Sequence, residues 1–116
     1  MSDMVMKNLE KMDNPRVFID GSERAVSELP SIIVGRGVYQ PGWRWSEHAG
    51  PQTERESARH VGFIESGNMT IQAADGSEAT VGRGDIFEVG PGHDAWVTGN
   101  EPCVALDFEP RSRVDE

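Results

Sequence analysis

The sequence predicts an all-β domain, an antiparallel sandwich or barrel, on three observations. Short runs of alternating apolar and polar residues recur between Ser31 and Phe108, and turn-forming pairs punctuate them at close intervals. Thirteen glycines and seven prolines are spread along the chain rather than massed in one tract, which suits many short strands joined by tight turns. Almost no stretch remains in which an amphipathic helix could form.

In chain order, residues 1–30 are polar and read as an irregular N-terminal arm, with at most a helical turn around Met6 to Met12. The arm could form part of a sheet edge or of a dimer contact. Ser31 to Gln40 (SIIVGRGVYQ) is rich in β-branched residues and ends at Pro41-Gly42, a strand followed by a turn. His60 to Glu65 and Asn68 to Ala73 flank Ser66-Gly67 and read as a hairpin. Asp75-Gly76 closes a second hairpin into Glu78 to Val81. Gly82 to Asp85 then turns the chain into Ile86 to Val89, and Gly90-Pro91-Gly92 leads into Asp94 to Thr98. Gly99-Asn100 precedes the last run, Cys103 to Phe108. The barrel is therefore expected over residues 31–108, with residues 109–116 a charged, loose tail.

At 116 residues the chain suffices for one domain with one core. A net charge of -9 with no run of Lys or Arg gives no electrostatic footprint for a phosphate backbone, so nucleic acid is not an expected partner. No apolar run approaches the roughly 20 residues that cross a bilayer. The opening MSDMVMKNLEKMDNP lacks the apolar centre of a secretion signal. No membrane partner is expected, and a cytoplasmic location is. The single cysteine, Cys103, cannot form an internal disulfide, and its place in an alternating run makes it a packing residue.

Residues two apart on a strand share a face, so parity sorts the polar side chains. His60 shares its face with Gly62 and Ile64, and His93 with Ala95 and Val97, both apolar settings. Glu54, Glu56 and Ala58 have the parity of His60 if its strand extends backward, and His48 has that of Arg44 and Ser46. Imidazoles and a carboxylate converging inside a small barrel are costly unless hydrogen-bonded, paired or metal-bound, and one metal would satisfy them together. For any one histidine, a core residue bonded to a carbonyl is the plainer alternative. Trp43, Trp45 and Trp96 could wall a pocket for a planar ligand or simply pack the barrel. Arg44, Arg59 and Arg83 are candidates for a substrate carboxylate, with solvation the simpler role, and Asp94 reads as a turn residue.

Two stretches resemble the motifs of the cupin superfamily, G-x5-H-x-H-x(3,4)-E-x6-G and G-x5-P-x-G-x2-H-x3-N. Gly42-WRWSE-His48 matches the first opening, and His60-VGFIES-Gly67 matches its close with histidine in place of glutamate. The loop between them is longer than the motif's, so whether His48, Glu54 or Glu56 fills the inner ligand places stays open. Gly84-DIFEV-Gly90-Pro91-Gly92-HD-Ala95 follows the second motif, with Ala95 at the usual histidine place and His93 two residues earlier, on the same face. The segments PGWRWSEH and PGHDAWV make the chain similar to small single-domain bacterial cupins.

The resemblance implies a double-stranded β-helix, or jelly-roll barrel. It further implies a divalent transition metal (Fe, Mn, Ni or Zn) held by His48, Glu56, His60 and His93. Trp43, Trp45, Trp96 and Arg44 would stand around the substrate, a small organic molecule undergoing dioxygenase- or isomerase-like chemistry. A non-catalytic, ligand-sensing cupin is the alternative. A homodimer is also implied, with the apolar run from Ile32 to Val38 as a candidate edge. No catalytic residue is singled out.

Overall fold

A computed structural model describes residues 4–12, 15–49 and 59–110. Nine strands follow in order: β1 (Arg16–Val17), β2 (Glu23–Glu28), β3 (Ile32–Tyr39), β4 (His60–Ser66), β5 (Asn68–Gln72), β6 (Glu78–Gly82), β7 (Ile86–Val89), β8 (Asp94–Val97) and β9 (Cys103–Pro110). They form a six-stranded sheet, β1-β2-β3-β9-β4-β7, and a three-stranded sheet, β6-β5-β8, with every pairing antiparallel. The two sheets enclose one core, a jelly-roll arrangement.

Alternation decides what fills that core. β9 buries Cys103, Ala105 and Asp107 and turns Val104, Leu106 and Phe108 the other way. Ile64 from β4, Met69 and Ile71 from β5, and Ala95 and Val97 from β8 complete the apolar interior. At one end, Phe18, Tyr39 and Trp43 pack as an aromatic cluster, with the Tyr39 and Trp43 ring centroids 4.3 Å apart.

Three expectations change. Ser66-Gly67 does not close a hairpin: β4 pairs with β7 and β9, whereas β5 pairs with β6 and β8. The pair is the corner at which the chain passes from one sheet to the other. The register of β4 on β9 shifts between Ile64 and Ser66, and Gly67 has φ +79° with the backbone of Pro102 and Cys103 where a Cβ would stand. The N-terminal arm, from Arg16 on, builds the edge of the larger sheet, with β2 paired to β3 along its whole length. Its pattern was hard to read because polar residues, Ser22 and Arg24, take the face turned toward the cavity, while Ser27 is buried on the opposite face. As a result Ile32 to Val38 is no free edge, for β3 is bonded to β2 on one side and β9 on the other.

The loop after β3 winds into one π-helical turn, Trp45–Ala49, while a 3-10 turn at Leu9–Lys11 is the only other helical piece among the described residues. No helix among those residues is long and apolar enough to cross a membrane.

Candidate functional site

A cavity of about 490 Å³ opens between the sheets. Its lining is apolar at Met69, Ile71, Ala95 and Ala105, and polar where Arg24, Asp107 and His60 of the larger sheet meet His93, which adjoins β8 of the smaller one. Each of these polar groups arrives by strand parity. Asp107 lies on the buried face of β9 with Cys103 and Ala105, and His60 on the face of β4 that carries Ile64. His93 follows the Gly90-Pro91-Gly92 turn directly before β8.

Arg24 holds Asp107 through two bonds, Nε to Oδ2 at 3.0 Å and Nη2 to Oδ1 at 2.6 Å. A planar guanidinium matches both carboxylate oxygens at once. His60 Nε2 lies 4.0 Å from Asp107 Oδ2, beyond hydrogen-bond reach, so the carboxylate acts on the ring by charge. Burial pushes the His60 imidazole below its ordinary value, Asp107 pulls it up, and neighbouring His93 pulls it down again. The His60 and His93 ring centroids are 5.8 Å apart. His93 Nδ1 lies 2.9 Å from the Gly90 carbonyl oxygen, and a carbonyl can only accept, so Nδ1 carries a proton and donates it there. Burial holds the Tyr39 phenol in its protonated form, well above its usual range.

The structure brings His60 and His93 together and leaves His48 apart. His48 Nδ1 accepts from the Arg44 backbone N–H at 2.9 Å inside the helical turn, and its side chain is not among those lining the cavity. The alternation assumed for residues 43–48 breaks there, because a helical turn replaces the strand. Glu54 and Glu56 lie outside the described residues. Trp43 and Trp45 line the cavity, whereas Trp96 and Arg44 do not. Trp96 sits on the face of β8 opposite Ala95 and Val97, and the Arg44 guanidinium stacks on it, 4.3 Å from the ring centroid. Asp94 does more than shape a turn. It accepts from Arg44 Nε at 2.9 Å and from the Ser46 backbone N–H and hydroxyl at 3.0 and 2.7 Å, tying the helical turn to β8.

Asp107, Arg24 and Tyr39 were missed by the sequence reading. One signal was available: in CVALDFEP, Asp107 has the inward parity of Cys103 and Ala105, and an acidic residue on a buried face calls for a partner.

A metal does not fit the described donors. No group of three or more His, Cys, Asp or Glu side chains among the described residues could hold an ion. Two imidazoles are present, but the nearest carboxylate, Asp107, has both oxygens engaged by Arg24.

Fold and site together define a cupin-type barrel with a polar-walled internal cavity. No family model and no curated protein matches the chain. Solved structures do. The chain is similar to an RmlC-like cupin from Shewanella frigidimarina NCIMB 400, with TM-score 0.68 and 15% identity over 97% of this chain and 96% of that one. It is similar to KdgF from Halomonas sp., with TM-score 0.62 and 16% identity over 98% of each chain. A sugar phosphate isomerase of the cupin superfamily from Silicibacter pomeroyi gives TM-score 0.68 and 14% identity over 93% of this chain and 76% of that one. At these identities the likeness establishes the fold alone: the chain folds as a small jelly-roll barrel of the cupin type.

Proposed function

We propose that the cavity receives a small organic molecule and that the chain acts on it by proton transfer, an isomerase-like reaction in which His60 and His93 touch the substrate. The observation that carries this reading is the pair of imidazole rings, 5.8 Å apart in the lining of one cavity. Two imidazoles side by side can divide the work, one taking a proton from the substrate while the other returns one. A positioned acid or base of this kind accelerates a reaction by about 10²- to 10⁴-fold. The Arg24–Asp107 pair fixes a charge beside His60 without entering the reaction. The apolar lining excludes water from the proton's path.

A second reading, favoured by the same pair of rings, is a divalent metal completed by His48 and Glu56. His48 is engaged by the Arg44 backbone, so no step is routed through such an ion. Bound metal would supply a Lewis acid or an oxygen-activating centre. A non-catalytic, ligand-sensing barrel uses the same cavity without turnover.

One set of proteins separates the readings: the parent purified without a histidine tag, His60→Ala and His93→Ala. Ligand-dependent proton exchange in metal-free parent, lost in both variants, supports proton transfer. Stoichiometric metal in the parent, lost in both variants, supports the metal reading and overturns the metal-free one. Binding that survives in the parent without exchange or metal leaves the sensor.

A further inference from the structure

We infer that the Tyr39 hydroxyl is a hydrogen-bond donor to the ligand of this cavity, and that the ligand presents to it a carbonyl oxygen on a flat, apolar body; the inference rests on reading the cavity as a ligand site. Tyr39, the last residue of β3, is only 8% exposed and lines the cavity. Its hydroxyl bonds nothing among the described residues: Arg24 and Asp107 act on it by charge alone. A phenol buried to this degree ordinarily has a partner.

The strand itself aims the hydroxyl. The Tyr39 ring folds back along β3 over Gly37, where a Cβ would overlap the ring carbons and the hydroxyl oxygen alike. Gly37 is paired with Arg24 on β2 and with Ala105 on β9, and both of those side chains line the cavity. The missing side chain at position 37 therefore lets the hydroxyl reach the register of two lining residues.

The surroundings define what the hydroxyl bonds. Burial keeps the phenol protonated at neutral pH, so it has a proton to offer. Trp43 Nε1, the other ring donor of the aromatic cluster, is enclosed by the protein and out of a ligand's reach. Asp107 has both oxygens engaged by Arg24, and a guanidinium only donates, so neither takes a proton from the ligand. An alcohol would bring a donor of its own against the Phe18, Tyr39 and Trp43 rings, where leaving it unpaired is costly. A carbonyl brings acceptors alone. Behind it, the Trp43 and Phe87 rings with Met69 and Ile71 offer contact to a flat, apolar body.

The test uses the intact chain, parent and Tyr39→Phe, with two probes: acetophenone, isotopically labelled at the carbonyl carbon, and ethylbenzene, the same body without the oxygen. Tyr39→Phe should weaken acetophenone about fivefold and leave ethylbenzene unchanged, as loss of one hydrogen bond requires. In the parent, the infrared carbonyl stretch of bound acetophenone should fall below its position in hexane, and in the variant it should return. The urea midpoint of Tyr39→Phe should equal or exceed the parent's, because the hydroxyl holds nothing within the protein. A lowered midpoint would show the hydroxyl engaged inside the fold and overturns the inference. Acetophenone affinity that is the same in both proteins, or a lowered stretch that persists in the variant, also overturns it and leaves the cavity as a binding site. Binding of neither probe overturns both the inference and the reading beneath it.

Discussion

Arg24 on β2 reaches Asp107 on β9 across the strand that separates them, β3, and the residue beneath the crossing is Gly35. Gly35 pairs with Val26 on one side and with Asp107 on the other. A Cβ built on Gly35 would stand 2.7 Å from Arg24 Nη2 and 2.7 and 2.8 Å from the Asp107 oxygens. The missing side chain is what allows two charges on non-neighbouring strands to meet over a continuous sheet.

Removing one partner should cost more than the pair contributes. Asp107→Asn leaves the Arg24 charge half-buried and unmatched, since the Asp107 side chain is 11% exposed and that of Arg24 29%. Loss of about 3 kcal/mol is expected, at the low end of the range for buried pairs because Arg24 retains some water. Urea unfolding of Asp107→Asn beside Arg24→Met measures it. A loss below 1 kcal/mol in Asp107→Asn would mean that solvent already screens the pair.

Gly35→Ala should also destabilise, by about 1 to 3 kcal/mol, because the added methyl has to push the guanidinium and the carboxylate apart. The cost should be much smaller when Asp107 is already alanine, because the carboxylate is gone and the flexible Arg24 guanidinium, no longer held by it, can swing aside. A double-mutant cycle therefore predicts strong coupling between positions 35 and 107. Additive costs would show that the methyl strains the backbone of β3 instead.

The strands of the barrel could be read because each has a period of two and ends at a Gly, Pro, Asn or Asp turn. β7 was expected over Ile86 to Val89 and runs over that span, and β3 and β8 differ from expectation only by end residues. The connections were harder. Ser66-Gly67 has a hairpin's composition but serves as a corner, and only the partners of β4 and β5 in space distinguish the two. The site was partly legible for the same reason. Parity turned His60 and His93 inward correctly, because both belong to or adjoin regular strands. It failed for His48, where Trp45–Ala49 coils into a helical turn. It also gave no hint of Arg24, whose partner lies 83 residues away.

Asp94 should make stability depend on pH in a defined direction. Burial alone would raise its carboxyl, but bonds from the Ser46 hydroxyl, the Ala95 backbone, Arg44 and the Ser46 backbone outweigh that and hold it below its ordinary value. A depressed folded value means the contribution is complete above the unfolded value, about 3.9, and is lost as pH falls through the folded one. Asp94→Asn should therefore cost about 1 to 3 kcal/mol at pH 7. The gap between parent and variant should begin to narrow once pH falls below about 4, where the unfolded carboxyl protonates, and close as pH passes through the lowered folded value. Urea midpoints of both proteins at pH 7 and pH 3 give the comparison. A gap that is the same at both values would show that the carboxylate charge does not hold the Trp45–Ala49 turn on β8.

Cys103 should behave as a core atom rather than a thiol. Its side chain is fully enclosed between the sheets, and burial pushes the thiol up to about 11. Nucleophilic attack requires the thiolate, and at pH 8 both the raised value and the enclosure act against it. An aromatic disulfide reagent should leave the native chain unlabelled over hours at pH 8 and label it fully within minutes in urea. The rate in dilute urea then reports how often the sheets part at β9. Cys103→Ala should remove the labelling and cost about 1 kcal/mol through the small void left beside Ile64 and Ala105. Rapid labelling of the native chain would place Cys103 on a surface that opens easily, and the packing of β9 between β3 and β4 would need to be redrawn.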